Sequence, residues 1–167
     1  YNVSQLRQDI ITVGDLFSAK GFAYADVNPI TKIDDKARVV DLSIDVDKGK
    51  KVYVGNINML GNIKTKDNVI RREFRLKEGE VFDGSKLKRS KQRINNLNYF
   101  EDVKIDTQRG KNPELIDILT TVTEKPTGSF TVGAGFSSVE NLIFTSSIAQ
   151  NNLFGNGQRL NLTASLS

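Results

Sequence analysis

The sequence predicts an α+β protein: two copies of a small helix-on-sheet unit, followed by the opening antiparallel strands of a transmembrane β-barrel. Two observations carry this. Positions 1–126 hold all but two of the 44 charged side chains, and positions 127–167 hold only Glu140 and Arg159. Within the charged part, one alternating pattern and the aromatic-rich helix end ahead of it recur at one constant offset, that from Val40 to Ile116.

The alternation is plainest where Val40, Leu42, Ile44 and Val46 interleave with Asp41, Ser43, Asp45 and Asp47, the period of a half-buried strand. At that offset the same places are taken by Ile116, Ile118, Thr120 and Val122, and Asp26-Val27 falls on Asp102-Val103. A helix is expected ahead of each strand pair. In the first copy Leu6, Ile10, Val13 and Phe17 recur at helical spacing after Ser4 as N-cap, with Gly21 at the C-terminal left-handed position.

In the second copy Ser85 is the expected cap of a helix with Leu87, Ile94 and Leu97 inward. Before it the pattern predicts a strand over Lys51–Met59, a turn at Gly61-Asn62, and a short helix capped by Thr65 with Val69, Ile70 and Phe74 inward. The order of the second copy is therefore strand, helix, helix, strand, strand. The first copy lacks the opening strand and helix, so residues 1–48 are expected to be the C-terminal part of a unit that begins upstream. The chain opens on Tyr1-Asn2-Val3-Ser4, stops inside an alternating run at Ser167, and is expected to be a fragment. Two unrelated α+β pieces that align by chance are the alternative to a repeat.

Pro126-Thr127-Gly128 interrupts pairing and forms a hinge. After it Phe130, Val132, Ala134 and Phe136 alternate with Thr131, Gly133 and Gly135; Leu142, Phe144, Ser146 and Ile148 follow, then Leu160, Leu162, Ala164 and Leu166. Three strands are predicted, the first over Ser129–Ser138, joined by a loop at Ser137–Asn141 and a turn at Asn151–Gln158. A sheet with one face in water would carry Lys, Glu or Asp there. This one carries Thr, Ser, Asn and Gly, which suit a barrel lumen, and an open edge is not tolerated in hydrocarbon, so a larger barrel is implied. A soluble β-sandwich or lipocalin-like piece is the rival.

Composition excludes more than it selects. The chain has 167 residues, 38% of them hydrophobic, and a net charge of +4, which tolerates anionic lipid, acidic proteins or nucleic acid without choosing among them. With no Cys and no His, disulfides, thiol chemistry and most metal or triad mechanisms are excluded. Neither Asp34-Asp35 nor Asp45 with Asp47 has a His, phosphate loop or metal-ligand cluster beside it, so no catalytic residue, metal site or cofactor is expected. A nucleic-acid surface would need aromatics on an exposed sheet beside Lys or Arg; here they lie at helix–strand junctions or in the low-charge strands after Thr127.

Several motifs together carry a resemblance: Arg71-Arg72-Glu73-Phe74, Glu78-Gly79-Glu80-Val81-Phe82, Leu97-Asn98-Tyr99-Phe100-Glu101-Asp102-Val103, Gly128-Ser129-Phe130 and Asn152-Leu153-Phe154-Gly155-Asn156-Gly157. Over nearly its whole length the chain resembles the outer-membrane assembly factors of the BamA type, whose periplasmic repeats are POTRA domains. Asn98 stands where the family has Gly, and an Asn tolerates the left-handed conformation.

The resemblance implies a POTRA part at residues 1–49, a whole POTRA module at 50–126 and the first barrel strands at 127–167. It implies an outer membrane of the Gram-negative type, with residues 1–126 periplasmic, and a binding and insertion role without catalysis. Unfolded outer-membrane protein clients would add a strand to the edge Asp102, Val103, Lys104, Ile105 and Asp106, with Ala25–Thr31 as its counterpart in the first copy. Accessory lipoproteins would dock at Arg71, Arg72 and Glu73, on the exposed side of their helix. The barrel seam would be the strand with Phe130, Val132, Gly133, Gly135 and Phe136, weakened by its glycines. Lys86, Lys88, Arg89, Lys91 and Arg93 form a row of cations for outer-membrane lipid or an acidic partner, or merely a solubilising face. Transporters of the two-partner-secretion and autotransporter-assembly types share this plan.

Overall fold

A computed structural model describes residues 2–34, 36–137 and 141–166, the side chains of Ser137 and Asn141 excepted. Asp35, Ser138 and Glu140, which figure in the readings above, lie outside the described residues. The elements run α1 (Val3–Ser18), β1 (Asp26–Asp34), β2 (Val39–Asp47), β3 (Tyr53–Leu60), α2 (Asp67–Arg71), α3 (Gly84–Asn96), β4 (Phe100–Arg109), β5 (Leu115–Glu124), β6 (Gly128–Ser137), β7 (Asn141–Leu153) and β8 (Gln158–Leu166). The strand–helix–helix–strand–strand order of the second copy is present as β3-α2-α3-β4-β5, and Val39 and Leu115 open β2 and β5 at the offset of the sequence repeat.

At α1 and α3 the cap stands two residues ahead of the expected one, because a better acceptor lies just upstream. Asn2, not Ser4, caps α1, its Oδ1 accepting from the backbone N–H groups of Ser4 and Gln5 at 3.0 and 3.3 Å. At α3 the cap is Asp83, which accepts from the N–H groups of Ser85 and Lys86 and from the Ser85 hydroxyl. Lys66 occupies the N-cap of α2 with no side-chain bond. Thr65 has a different task, described below. Because α2 is only five residues long, Phe74 falls outside it and is half-buried, while Val69 and Ile70 are buried as expected.

The chain divides into two compact units. The first comprises residues 1–58, 74–91 and 105–119. Its buried side chains include Val52, Val54, Ile57, Leu76, Phe82, Ile116 and Ile118. Full burial of an aliphatic side chain contributes about 1.5–3 kcal/mol. The Asp117 carboxylate accepts from the Asn56 N–H at 2.7 Å, and the Ser90 hydroxyl joins Lys86 O to the Arg75 N–H at 2.8 Å each. In the same unit β1 pairs antiparallel with β2 from Asp26↔Asp47 to Asp34↔Val39. That hairpin leaves Ile33, Leu42 and Ile44 exposed on one face, opposite the face with Asn28, Lys32, Asp41 and Asp45. Helix α1 buries none of its residues fully, although Leu6, Ile10, Val13 and Phe17 are each half-buried. Asp15 of α1 pairs with Lys88 of α3 at 2.5 Å.

The second unit comprises residues 59–73, 92–104 and 120–167. Here Val69, Ile70, Ile94, Tyr99, Phe100, Val103 and Val122 are buried together with the polar Thr65 and Asn152. Asn98 adopts φ 61, and the Lys125 ammonium bonds its amide oxygen at 2.6 Å. Strands β6, β7 and β8 form one antiparallel sheet in that order. Its register puts Phe130, Ile148 and Leu162 on one rung, Val132, Ser146 and Ala164 on the next, and Ala134, Phe144 and Leu166 beyond them. The opposite face carries Thr131, Ser147 and Thr163, with the Ser147 hydroxyl 3.3 Å from that of Thr163.

Candidate functional site

The predicted docking triplet is only partly at the surface. Arg71 and Arg72 are exposed at the end of α2, but the Glu73 side chain retains only 14% exposure because its carboxylate binds the Arg93 guanidinium at 2.7 Å and lies 3.6 Å from Arg72 Nε. Glu73 is thus already neutralised from within. Of the five cations along α3, Lys88 pairs with Asp15 and Arg93 with Glu73, leaving Lys86, Arg89 and Lys91 as exposed cations without an ion pair among the described residues.

Strand β4 lies at one side of the order β3-β5-β4. Along it Val103 is buried and Ile105 half-buried, while Asp102, Lys104 and Asp106 are exposed, Asp102 and Lys104 paired at 3.6 Å. Phe130, Val132 and Phe136 expose 66%, 65% and 78% of their surface, on a face of β6–β8 that no described residue covers. A Cβ at Gly133 or Gly135 would meet open space, so crowding does not require either glycine.

The structure also assembles a site that the sequence did not announce. The turn between β7 and β8 seats against the loop that leads into α2. Asn152 is buried and spends both ends of its amide: Nδ2 donates to Thr65 Oγ1 at 2.8 Å, and Oδ1 accepts from the Gly157 N–H at 2.8 Å. Lys66 N–H donates to Gly155 O at 3.0 Å, and the Tyr99 hydroxyl reaches Gly157 O at 3.3 Å.

Gly155 and Gly157 allow this approach in two ways. Both are in the left-handed region, at φ 71 and 70. A Cβ at Gly155 would run into the Lys64 carbonyl oxygen, and one at Gly157 into the Arg72 guanidinium and Val69. The expected docking residue Arg72 therefore lies against the strand turn.

From the other side Glu124, the last residue of β5, holds the same loop. Its two carboxylate oxygens accept the backbone N–H groups of Lys64 at 2.9 Å and Thr65 at 2.6 Å. Partial burial alone would raise its pKa, but hydrogen bonds from Thr65 and Lys64 and the Lys64 charge together bring it below the usual carboxylate range. At the hinge, Asn151 N–H donates to Thr127 O and the Gln150 amide to Thr127 Oγ1, both at 3.0 Å. The Asn-Leu-Phe-Gly-Asn-Gly segment was the available signal, but the loop it meets is remote in sequence, with Thr65 and Asn152 separated by 87 residues.

This arrangement holds the β7–β8 turn against the loop ahead of α2. Among the described residues no three His, Cys, Asp or Glu side chains are grouped to hold a metal ion, and no helix is long and apolar enough to cross a membrane, which says nothing of strands.

Comparison with known proteins agrees with this architecture. The family model described as POTRA, "Surface antigen variable number repeat", matches residues 1–49 and 52–125. The chain is 33% identical over 168 residues to the outer membrane protein assembly factor BamA of Neisseria meningitidis serogroup B, covering 100% of this chain and 21% of that protein. To the protein of the same name from Nitratidesulfovibrio vulgaris it is 32% identical over 159 residues, covering 95% and 20%. The chain thus spans about a fifth of these curated relatives. The crystal structure of BamA from Haemophilus ducreyi lacking POTRA domains 1–3 superposes with a TM-score of 0.88 at 28% identity, over 99% of this chain and 31% of that one. With the POTRA repeat matched over most of its residues and the strand sheet matched in the solved structure, the chain belongs to the POTRA family and is of the BamA type.

Proposed function

We propose that this chain acts in an outer-membrane β-barrel assembly factor: residues 1–49 and 50–126 are periplasmic POTRA elements that receive unfolded outer-membrane protein clients, and residues 127–167 begin the barrel through which clients enter the membrane. The observation that carries this reading is the two-faced sheet β6–β8, with an exposed apolar ladder from Phe130 to Leu166 backed by Thr, Ser, Asn and Gly, which follows the α+β module in the chain after the short link Lys125-Pro126-Thr127. Exposed apolar surface of this extent on a regular sheet is stable when hydrocarbon covers it.

Client capture falls to β4, whose side position in the sheet leaves backbone groups available for strand addition, affinity that is indifferent to client sequence. Accessory lipoproteins dock at the ridge of Arg71, Arg72 and Glu73. Strand β6, with Gly133 and Gly135, is the seam strand that parts and templates the client. None of these roles requires catalysis or a cofactor.

The test is photocrosslinking in the native outer-membrane protein that carries this chain. A photoreactive residue at Lys104 should capture an unfolded barrel client, and a covalent lock between Phe130–Phe136 and the last strand of the barrel should stop insertion. Normal insertion by the locked barrel would contradict the proposal.

A further inference from the structure

At the end of the β6–β8 sheet lies a cleft of about 290 Å3 lined by Lys64, Tyr99, Lys125, Thr127, Gly128 and Gln150, among others. Gly128 and Gln150 share a rung with Leu160, and this rung lies on the same face as Phe130, Ile148 and Leu162 one step further on. Two residues of strand separate the rungs, roughly 7 Å. The cleft therefore borders the rung just beyond the last apolar rungs of that face.

Its chemistry is that of an anion site. The Lys64 ammonium has no hydrogen bond or ion pair among the described residues, and the Lys125 ammonium spends one of its three N–H groups on Asn98. Gln150 keeps one amide N–H beyond the bond to Thr127. The carboxylate in the lining, Glu124, has both oxygens occupied by backbone N–H groups. Two lysines against one carboxylate leave the lining with a charge of +1.

We propose that this cleft holds the phosphate of an anionic phospholipid, with Lys64 and Lys125 on the phosphate oxygens and the acyl chains running along Phe130, Ile148 and Leu162. Donors beside an apolar ladder match a headgroup joined to its hydrocarbon, whereas a free phosphate would leave the ladder bare. The inference rests on the reading of β6–β8 as membrane strands.

Native mass spectrometry of the detergent-folded outer-membrane protein that carries this chain tests it, with phosphatidylglycerol, phosphatidylcholine and inorganic phosphate as separate probes. Phosphatidylglycerol should be retained in preference to phosphatidylcholine. Lys64→Gln should lower retention about fivefold and the Lys64→Gln, Lys125→Gln pair about thirtyfold, with Lys64→Arg close to wild type. In the single variant Lys64 loses no hydrogen bond, only its charge beside Glu124, so that variant keeps the test valid should the pair fail to fold. Equal retention of phosphatidylglycerol by Lys64→Gln, equal retention of phosphatidylcholine, or displacement of the lipid by inorganic phosphate would each overturn the proposal. Client insertion without any lipid preference removes this inference alone; β6–β8 in water removes it together with the proposed function.

Discussion

Asn152 donates its amide to the hydroxyl of Thr65 at 2.8 Å, joining two buried polar groups 87 residues apart in the chain. This bond ties a turn of the strand sheet to the loop ahead of α2. Neither group has water as an easy alternative.

Truncation of Asn152 to Ala removes one partner of the Thr65 hydroxyl, which keeps Glu124, and the side-chain partner of the Gly157 N–H, at a cost of about 1–3 kcal/mol. Hydrogen exchange is the discriminating readout. The amides of Lys66 and Gly157 should exchange faster in the variant, while those of Ile116 and Ile118 stay protected.

Gly155 and Gly79 make a controlled pair, both at positive φ. Gly79→Ala adds a methyl group in open space and should cost about 1 kcal/mol of backbone strain. Gly155→Ala adds the same strain and drives Cβ into the Lys64 carbonyl, so its loss of thermal stability should be clearly larger. Equal losses for the two would mean that the turn does not seat on this loop.

Acid should loosen the same seam. The Glu124 pKa is lowered in the folded chain, so the stability it contributes is fully present above the ordinary carboxylate value of about 4.3 and is lost as pH falls through the lowered folded value. Asp83, lowered by the Ser85 and Lys86 bonds against the opposing effect of burial, acts in the same direction at the start of α3. In an acid titration followed by hydrogen exchange, Glu124→Gln should remove most of the pH dependence at Lys64 and Thr65 and leave that at Lys86 intact.

To dock a partner, Glu73 would have to give up Arg93 or share it. Arg93→Gln removes that competitor. A lipoprotein that brings its own cation to Glu73 should then bind more tightly, by a few fold, and the Glu73→Gln, Arg93→Gln pair should lose the gain. If the ion pair is purely structural, Arg93→Gln lowers stability with no gain in affinity.

How much of this was legible in the sequence follows from the range of each interaction. The β2 and β5 pattern and the alternation of Phe130, Val132, Phe144 and Leu162 are set by neighbours two positions apart, and they read directly. The φ of 61 at Asn98 was readable only through the resemblance, which has Gly there, a conformation that Asn tolerates. The caps slipped to Asn2 and Asp83 where several candidate acceptors crowd close together, and geometry alone selects among them. Thr65 looked like a cap and is instead a partner of Asn152, and Glu73 looked exposed until Arg93 arrived from α3. Such bonds depend on which loops meet, and local pattern carries no trace of that.

The central claim is that one face of β6–β8 meets hydrocarbon and the other a polar lumen. These 167 residues contain no cysteine, so none of them adds a background to single spin labels placed here. Accessibility to oxygen and to a water-soluble nickel chelate should be measured in the membrane-embedded protein from Phe130 to Ala134. Labels at Phe130, Val132 and Ala134 should favour oxygen and those at Thr131 and Gly133 the chelate, an alternation in phase with the register. Uniform access of the chelate along all of these positions would contradict the account.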